Sequence, residues 1–119
     1  MLSTHLLRDA LEVQVQITGA GEQSATCVLA VSDLKDTPAA LRLTDVVYSV
    51  EGGQKVSLWW EDDSGESLIL PLEGRGFLDL DKVGGIHNPR RAGWTGHVLL
   101  SAQGEGLFFV GLQFTKVRV

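Results

Sequence analysis

Apolar and polar residues alternate along most of this chain with a period of two. From Leu11 to Thr18, Val13, Val15 and Ile17 fall on one side and Glu12, Gln14 and Gln16 on the other, the pattern of a strand with one wet face. Gly19-Ala20-Gly21-Glu22 makes a turn. Ala25 to Val31 reads as the next strand, with Cys27 inside it as a small buried hydrophobe. After a polar connection from Asp33 to Pro38, Leu41 to Val50 forms a long strand whose phase slips. Leu41 and Leu43 share one parity, while Val46, Tyr48 and Val50 share the other. A slip of one residue flips the face, so a β-bulge or corner is predicted near Thr44-Asp45.

Gly52-Gly53 supplies the positive φ angles of a tight hairpin. Val56, Leu58 and Trp60 continue on one face beyond it, leaving Trp59 on the opposite face. Asp62-Asp63-Ser64-Gly65 is a second hairpin turn. Leu68, Leu70 and Leu72 then point one way, and Pro71, which has no amide hydrogen, places that strand at a sheet edge or ends its ladder there. Phe77 to Leu80 is short, Val98 to Ser101 follows a glycine-rich loop, and Leu107 to Val119 closes the chain with Phe108, Val110, Leu112 and Phe114 in phase. About eight strands with closely spaced turns predict one all-β domain, an antiparallel β-sandwich or jelly roll. The one helical pattern, Thr4 to Leu11, is too short to stand alone in water. Residues 1–11 are therefore expected to form an N-terminal arm that orders on a neighbour through Leu6 and Leu7, and residues 12–119 the sandwich.

Composition narrows the class. At 119 residues the chain can bury a core without metal or disulfide staples. It is 44% hydrophobic and 21% charged, too apolar for a disordered chain. A net charge of −5 argues against general binding to a phosphate backbone, so no direct nucleic-acid partner is expected. Cys27 is the single cysteine, which rules out an intramolecular disulfide and a Cys-based zinc site and fits a reducing compartment. Every apolar stretch is cut well short of the ~20 residues of a membrane span. The N-terminus has no basic segment leading into an apolar core, so no secretory signal is expected and no membrane partner.

Candidate chemistry is sparse. His5, His87 and His97 stand at no metal-ligand spacing, and a surface or structural role is favoured for each. Asp62, Asp63 and Glu66 lack the alternating oxygen ligands of a calcium loop and read as a solvated hairpin tip. Gly74-Arg75-Gly76 and Gly104-Glu105-Gly106 each precede a strand, whereas phosphate-cradling loops open onto a helix. Cys27 has no electropositive neighbour in sequence, and no Gly-x-Ser-x-Gly elbow occurs. Asp79 and Asp81 beside Lys82 read as a salt-bridged surface before an acid/base pair. No catalytic residue, cofactor site or metal site is assigned, and no enzyme is expected. The loop from Gly84 to Gly96 carries Arg90-Arg91 between Pro89 and Trp94. It reads either as a solvated loop with Trp94 tucked onto the sandwich or as a preformed contact surface, since Arg and Trp are enriched at interface hot spots.

The order Tyr48-Ser49-Val50, Val56-Ser57-Leu58-Trp59-Trp60, Gly74-Arg75-Gly76-Phe77-Leu78-Asp79, Gly84-Gly85-Ile86-His87-Asn88-Pro89 and Gly93-Trp94-Thr95-Gly96 resembles small structural proteins of tailed bacteriophages, of the type common among cyanophages and other marine phages. In that pattern a Thr-Gly-Asp precedes a Leu-rich strand, and here His97 replaces the Asp. Phe114-Thr115-Lys116 resembles the family's ending of the final strand. The resemblance implies a non-enzymatic virion protein made in the host cytoplasm and present in many copies or as a homo-oligomer. A head decoration (cement) protein docking on the major capsid protein ranks first, and a neck or tail component docking on other virion proteins second. Leu6, Leu7, Arg90, Arg91 and Trp94 are the expected partner contacts. A carbohydrate-binding sandwich on the particle surface is a further alternative if Trp59 or Trp94 is exposed.

Overall fold

A computed structural model describes residues 2–36, 38, 40–62, 65–87 and 94–117. Ten strands occur among them: β1 (Leu2–Asp9), β2 (Glu12–Ala20), β3 (Gln23–Ala30), β4 (Ala40–Val50), β5 (Lys55–Asp62), β6 (Gly65–Leu72), β7 (Arg75–Asp79), β8 (Ile86–His87), β9 (Trp94–Gln103) and β10 (Leu107–Val117). One sheet has the order β1-β2-β10-β4-β7, with the short β8 also pairing β4, and the other has the order β3-β9-β5-β6. All pairings are antiparallel. The chain changes sheet between β2 and β3, again between β3 and β4, and again between β4 and β5. With β2-β10-β4-β7 on one side and β3-β9-β5-β6 on the other, the strand order is that of a jelly roll, to which β1 adds an outer strand.

The core lies between the two sheets and follows the period-two pattern. Val13, Val15 and Ile17 of β2, Val110, Leu112 and Phe114 of β10, and Val56, Leu58 and Trp60 of β5 are buried. Trp60, 4% exposed, meets Phe114 edge-on across the sandwich at 6.1 Å between ring centroids. The bulge predicted in β4 is present. Gln113 faces Asp45 while Phe114 faces Leu43, which leaves Thr44 as the extra residue and carries the buried parity from Leu43 to Val46. Asp62 pairs Gly65 across the second predicted hairpin, and Pro71 lies on β6, an edge strand.

Several expectations are corrected. The Gly52-Gly53 turn, with Gly53 at φ 85°, joins strands in different sheets and so is a corner of the sandwich, not a hairpin. Cys27 is exposed. Register shifts on both sides of Thr26-Cys27 in the β3–β9 pairing let Val28 and Leu29 both bury and turn Cys27 outward. Partial desolvation still raises its thiol pKa, with Glu61 and Asp33 adding to the rise. Leu68 is 52% exposed, because β6 pairs Leu70 with Leu58 but Leu68 with Trp59, making Ile69 the extra residue.

The N-terminal segment is a strand of the sandwich. Residues 2–9 run along β2, with Thr4 opposite Ile17 and Leu6 opposite Val15, and a bulge at Leu7. An ion pair fastens its end. Lys116 Nζ, buried on β10, donates to Asp9 Oδ1 at 2.6 Å and to the Lys35 carbonyl at 3.0 Å, while the Lys35 amide donates to Asp9 Oδ2 at 2.9 Å. The Lys116 bond, then the Lys35 amide, holds the Asp9 carboxyl below its ordinary range. One charge cluster thus ties the ends of β1 and β10 to the β3–β4 connection.

Candidate functional site

A two-sheet sandwich needs only its inner faces for a core, so apolar groups on the outer faces are informative. On the six-stranded sheet, Gln16, Gly111, Val47 and Phe77 lie side by side across four adjacent strands. Val47 is 43% exposed and Phe77 62%. With Leu7 from the β1 bulge and Phe109 from β10 they line a groove of about 380 Å³. Gly111 keeps the middle of the groove low. A Cβ there would stand 2.8 Å from Val47 Cγ1, so any larger residue would displace the apolar side chains that form the wall.

One end of the groove is polar and fixed. Gln14 Nε2 donates to Gln113 Oε1 at 3.0 Å, Gln113 Nε2 donates to Glu12 Oε2 at 2.7 Å, and Thr44 Oγ1 donates to the Gln113 carbonyl at 3.1 Å. Asp45 sits directly opposite Asp79 on the neighbouring strand, and Lys82 approaches Asp79 at 3.5 Å. Like charges facing across a ladder are unfavourable on their own. Lys82 offsets that repulsion at Asp79, and Asp45 is the carboxylate that lines the groove.

The outer face of the four-stranded sheet differs. Leu99, Trp59 and Leu68 lie opposite one another on β9, β5 and β6, and the partly buried Trp59 donates its indole Nε1–H to Ser101 Oγ at 2.9 Å. A hollow of about 630 Å³ lies beside the ring, bordered by Tyr48, Ser57, Ser101, Gln103, Pro71 and the Lys55–Glu73 pair. On the other side of the stripe His97 Nδ1 meets Glu61 Oε1 at 2.7 Å. Sequence reasoning missed that contact, although Glu61 and His97 share outward parity on strands that pair through Trp60 and Val98.

Of the expected contact residues, Leu6 and Leu7 are both exposed on β1, and Leu7 enters the groove. Arg90 and Arg91 lie outside the described residues, as do Asn88 and Pro89. Trp94 opens β9, but its side chain is also outside what the structure describes. Structure therefore brings one expected contact, Leu7, together with Val47, Phe77 and Phe109, which sequence reasoning did not single out. Their signal was outward parity in strands whose other parity was already apolar. His5 and His87 are exposed. Asp79 ends β7 and Asp81 begins a 3-10 turn, where Arg42 Nη1 reaches Asp81 Oδ1 at 2.8 Å, so these acids form separate surface pairs. Among the described residues no group of three or more His, Cys, Asp or Glu is placed to hold a metal ion, and no helix is long and apolar enough to cross a membrane.

No protein-family model and no curated protein matches the chain. Among solved structures, protein SO0799 of Shewanella oneidensis is similar over 98% of this chain and 68% of its own, at 9% identity and a TM-score of 0.38. A likeness that loose adds nothing to the reading of fold or site. The assignment as an all-β sandwich stands on this chain's own strand order.

Proposed function

We propose that this protein is a non-enzymatic structural component of a tailed-phage particle, docking on the shell as a head decoration protein. The observation that carries the docking mode is the apolar groove of Leu7, Val47, Phe77 and Phe109 on the outer face of the six-stranded sheet. The core is complete without it. The sequence resemblance to phage structural proteins supplies the partner class, and a jelly roll is a frame used by viral capsid domains, though fold alone does not fix function. An apolar side chain of the shell subunit would fill the groove, and a Lys or Arg would meet Asp45 at its polar end. The Asp9–Lys116 pair holds β1 in place, so that Leu7 is presented without ordering cost.

The test replaces Val47 and Phe77 together by Thr, which keeps strand propensity while removing most of the apolar surface. Both side chains are exposed, so stability should stay within about 1 kcal/mol of the parent. Added to particles lacking the protein, the variant should bind at least about 10-fold fewer copies, a loss of ~1.4 kcal/mol of docking energy. Parent-level binding would move the contact off this face. Counting copies of the unaltered protein per particle separates shell decoration, with hundreds, from the neck or tail reading, with about a dozen in a ring.

A further inference from the structure

We propose that the outer face of the four-stranded sheet carries a saccharide-binding site centred on Trp59, separate from the docking groove on the opposite sheet. Three observations converge there. Trp59 is the one aromatic residue among the outward positions of β5, and its ring is held in one orientation by the Nε1–H bond to Ser101 Oγ at 2.9 Å. Trp59 is partly buried but lines the hollow, and the part of its ring left open there is where the weakly positive axial C–H groups of a pyranose would stack. The hollow beside it, about 630 Å³, falls within the range of roughly 300–1,000 Å³ typical of small-ligand sites.

The polar groups fit a polyol. Ser101 Oγ already accepts the indole hydrogen, so its own O–H is left to donate into the hollow. Ser57 sits opposite Ser101 on the adjacent strand, and Gln103, opposite Lys55, adds an amide with both donors and an acceptor. Lys55 and Glu73, 3.4 Å apart and both well exposed, close the rim with a donor and an acceptor of cancelling charge. The requirements of other ligand classes are not met. A phosphate or sulfate would need uncompensated cations, and here the Lys55 charge is balanced by Glu73 in a chain of net charge −5. A wholly apolar side chain would leave Ser57, Ser101 and Gln103 without partners, whereas a sugar matches a lining in which those groups stand beside Trp59, Tyr48 and Pro71. The ligand class is therefore a neutral pyranose oligosaccharide, stacked by one face on Trp59 and hydrogen-bonded along its rim.

The experiment is a glycan array probed with the full chain, carrying neutral oligosaccharides of glucose, galactose and N-acetylglucosamine beside sialylated and sulfated glycans. Titration calorimetry follows with cellotetraose and with chitotetraose as soluble probes. Retention should be confined to neutral glycans. Trp59→Ala should lower affinity at least about 10-fold and Trp59→Phe less, since a smaller ring stacks less area. Gln103→Ala, at an exposed position away from the core, should weaken binding several-fold with an unchanged melting temperature. That variant keeps the test decisive even if Trp59→Ala destabilises the sheet. Retention of no neutral glycan, retention of acidic glycans alone, or unaltered binding by both Gln103→Ala and Trp59→Phe would overturn the assignment. The Val47→Thr/Phe77→Thr variant should bind the array like the parent, so failure here leaves shell docking untouched.

Discussion

Replacing Lys116 by Met tests whether the N-terminal strand is held by one ion pair. The Lys116 ammonium is nearly inaccessible, its side chain 2% exposed against 12% for Asp9, and it bonds both the Asp9 carboxylate and the Lys35 carbonyl. A charge-assisted hydrogen bond contributes about 1.5–3 kcal/mol, and breaking a fully buried pair costs about 3–5 kcal/mol. Asp9 keeps the Lys35 amide and some access to water after the change, so the loss should be about 2 kcal/mol. For a chain of this size that is a fall in melting temperature of ~8 °C. The pH dependence has a definite sign. The Asp9 pKa is lower in the folded protein than its ordinary value, so its contribution is present above about pH 4 and is lost as pH falls through the folded pKa. Denaturant unfolding of parent and variant should therefore differ at pH 7 and converge in acid. Hydrogen exchange should show β1 amides opening more readily in the variant at neutral pH, since β1 is an edge strand beside β2. A penalty unchanged between pH 7 and acid, or unaltered exchange in β1, would refute the clamp.

Trp60→Ala should destabilise by about 3–5 kcal/mol, through lost burial and the lost edge contact with Phe114. Trp59→Ala should cost about 1–2 kcal/mol, since one hydrogen bond and partial burial are removed; equal losses in denaturant titrations would contradict the assigned faces. Gly104→Ala should cost ~2 kcal/mol or more, because φ is +97° and the added Cβ would collide with the Gly53 carbonyl. Gly21→Ala, at φ +74° with open space around it, should cost about 1 kcal/mol; the reverse ranking in thermal melts would discredit the corner packing of Gly53 against Gly104.

The sequence made the sandwich legible wherever alternation was tied to burial. Val13-Val15-Ile17, Val56-Leu58-Trp60 and Phe108-Val110-Leu112-Phe114 face the core as their parity requires. The phase slip around Thr44 marked a real bulge, because a strand buried on one face must insert a residue to restore its parity. Legibility failed at the edges, where a strand has one neighbour and tolerates irregular register. β1 carries Leu2, Thr4 and Leu6 on the inward parity, but the bulge at Leu7 created a Leu-Leu doublet that imitates a helix. On β3 and β6, bulges moved Cys27 and Leu68 to the outside. The sheet change at Gly52-Gly53 was hidden for another reason: a hairpin and a corner ask for the same positive φ, and only long-range pairing tells them apart. The groove depends on a row running across four strands, Gln16 to Phe77, and no local window of sequence contains such a row.

Val47, Phe77 and Phe109 are each of a residue type, β-branched or aromatic, that favours strands even on a wet face. Propensity accounts for residue types one at a time. It does not account for their lying side by side, nor for Gly111, which is among the poorest strand formers and sits in the middle of the sheet between Gln16 and Val47. A central glycine there gives up strand stability and lowers the floor on which Val47 and Phe109 meet. The same sheet carries Asp45 opposite Asp79, a like-charge pairing that Lys82, 3.5 Å from Asp79, offsets. One locally unfavourable choice, Gly111, thus sits inside an apolar row on a face the core does not use. Places where a chain departs from its own folding logic are functional or strained sites, and Gly111 is such a departure, at the centre of the groove proposed above to dock the shell.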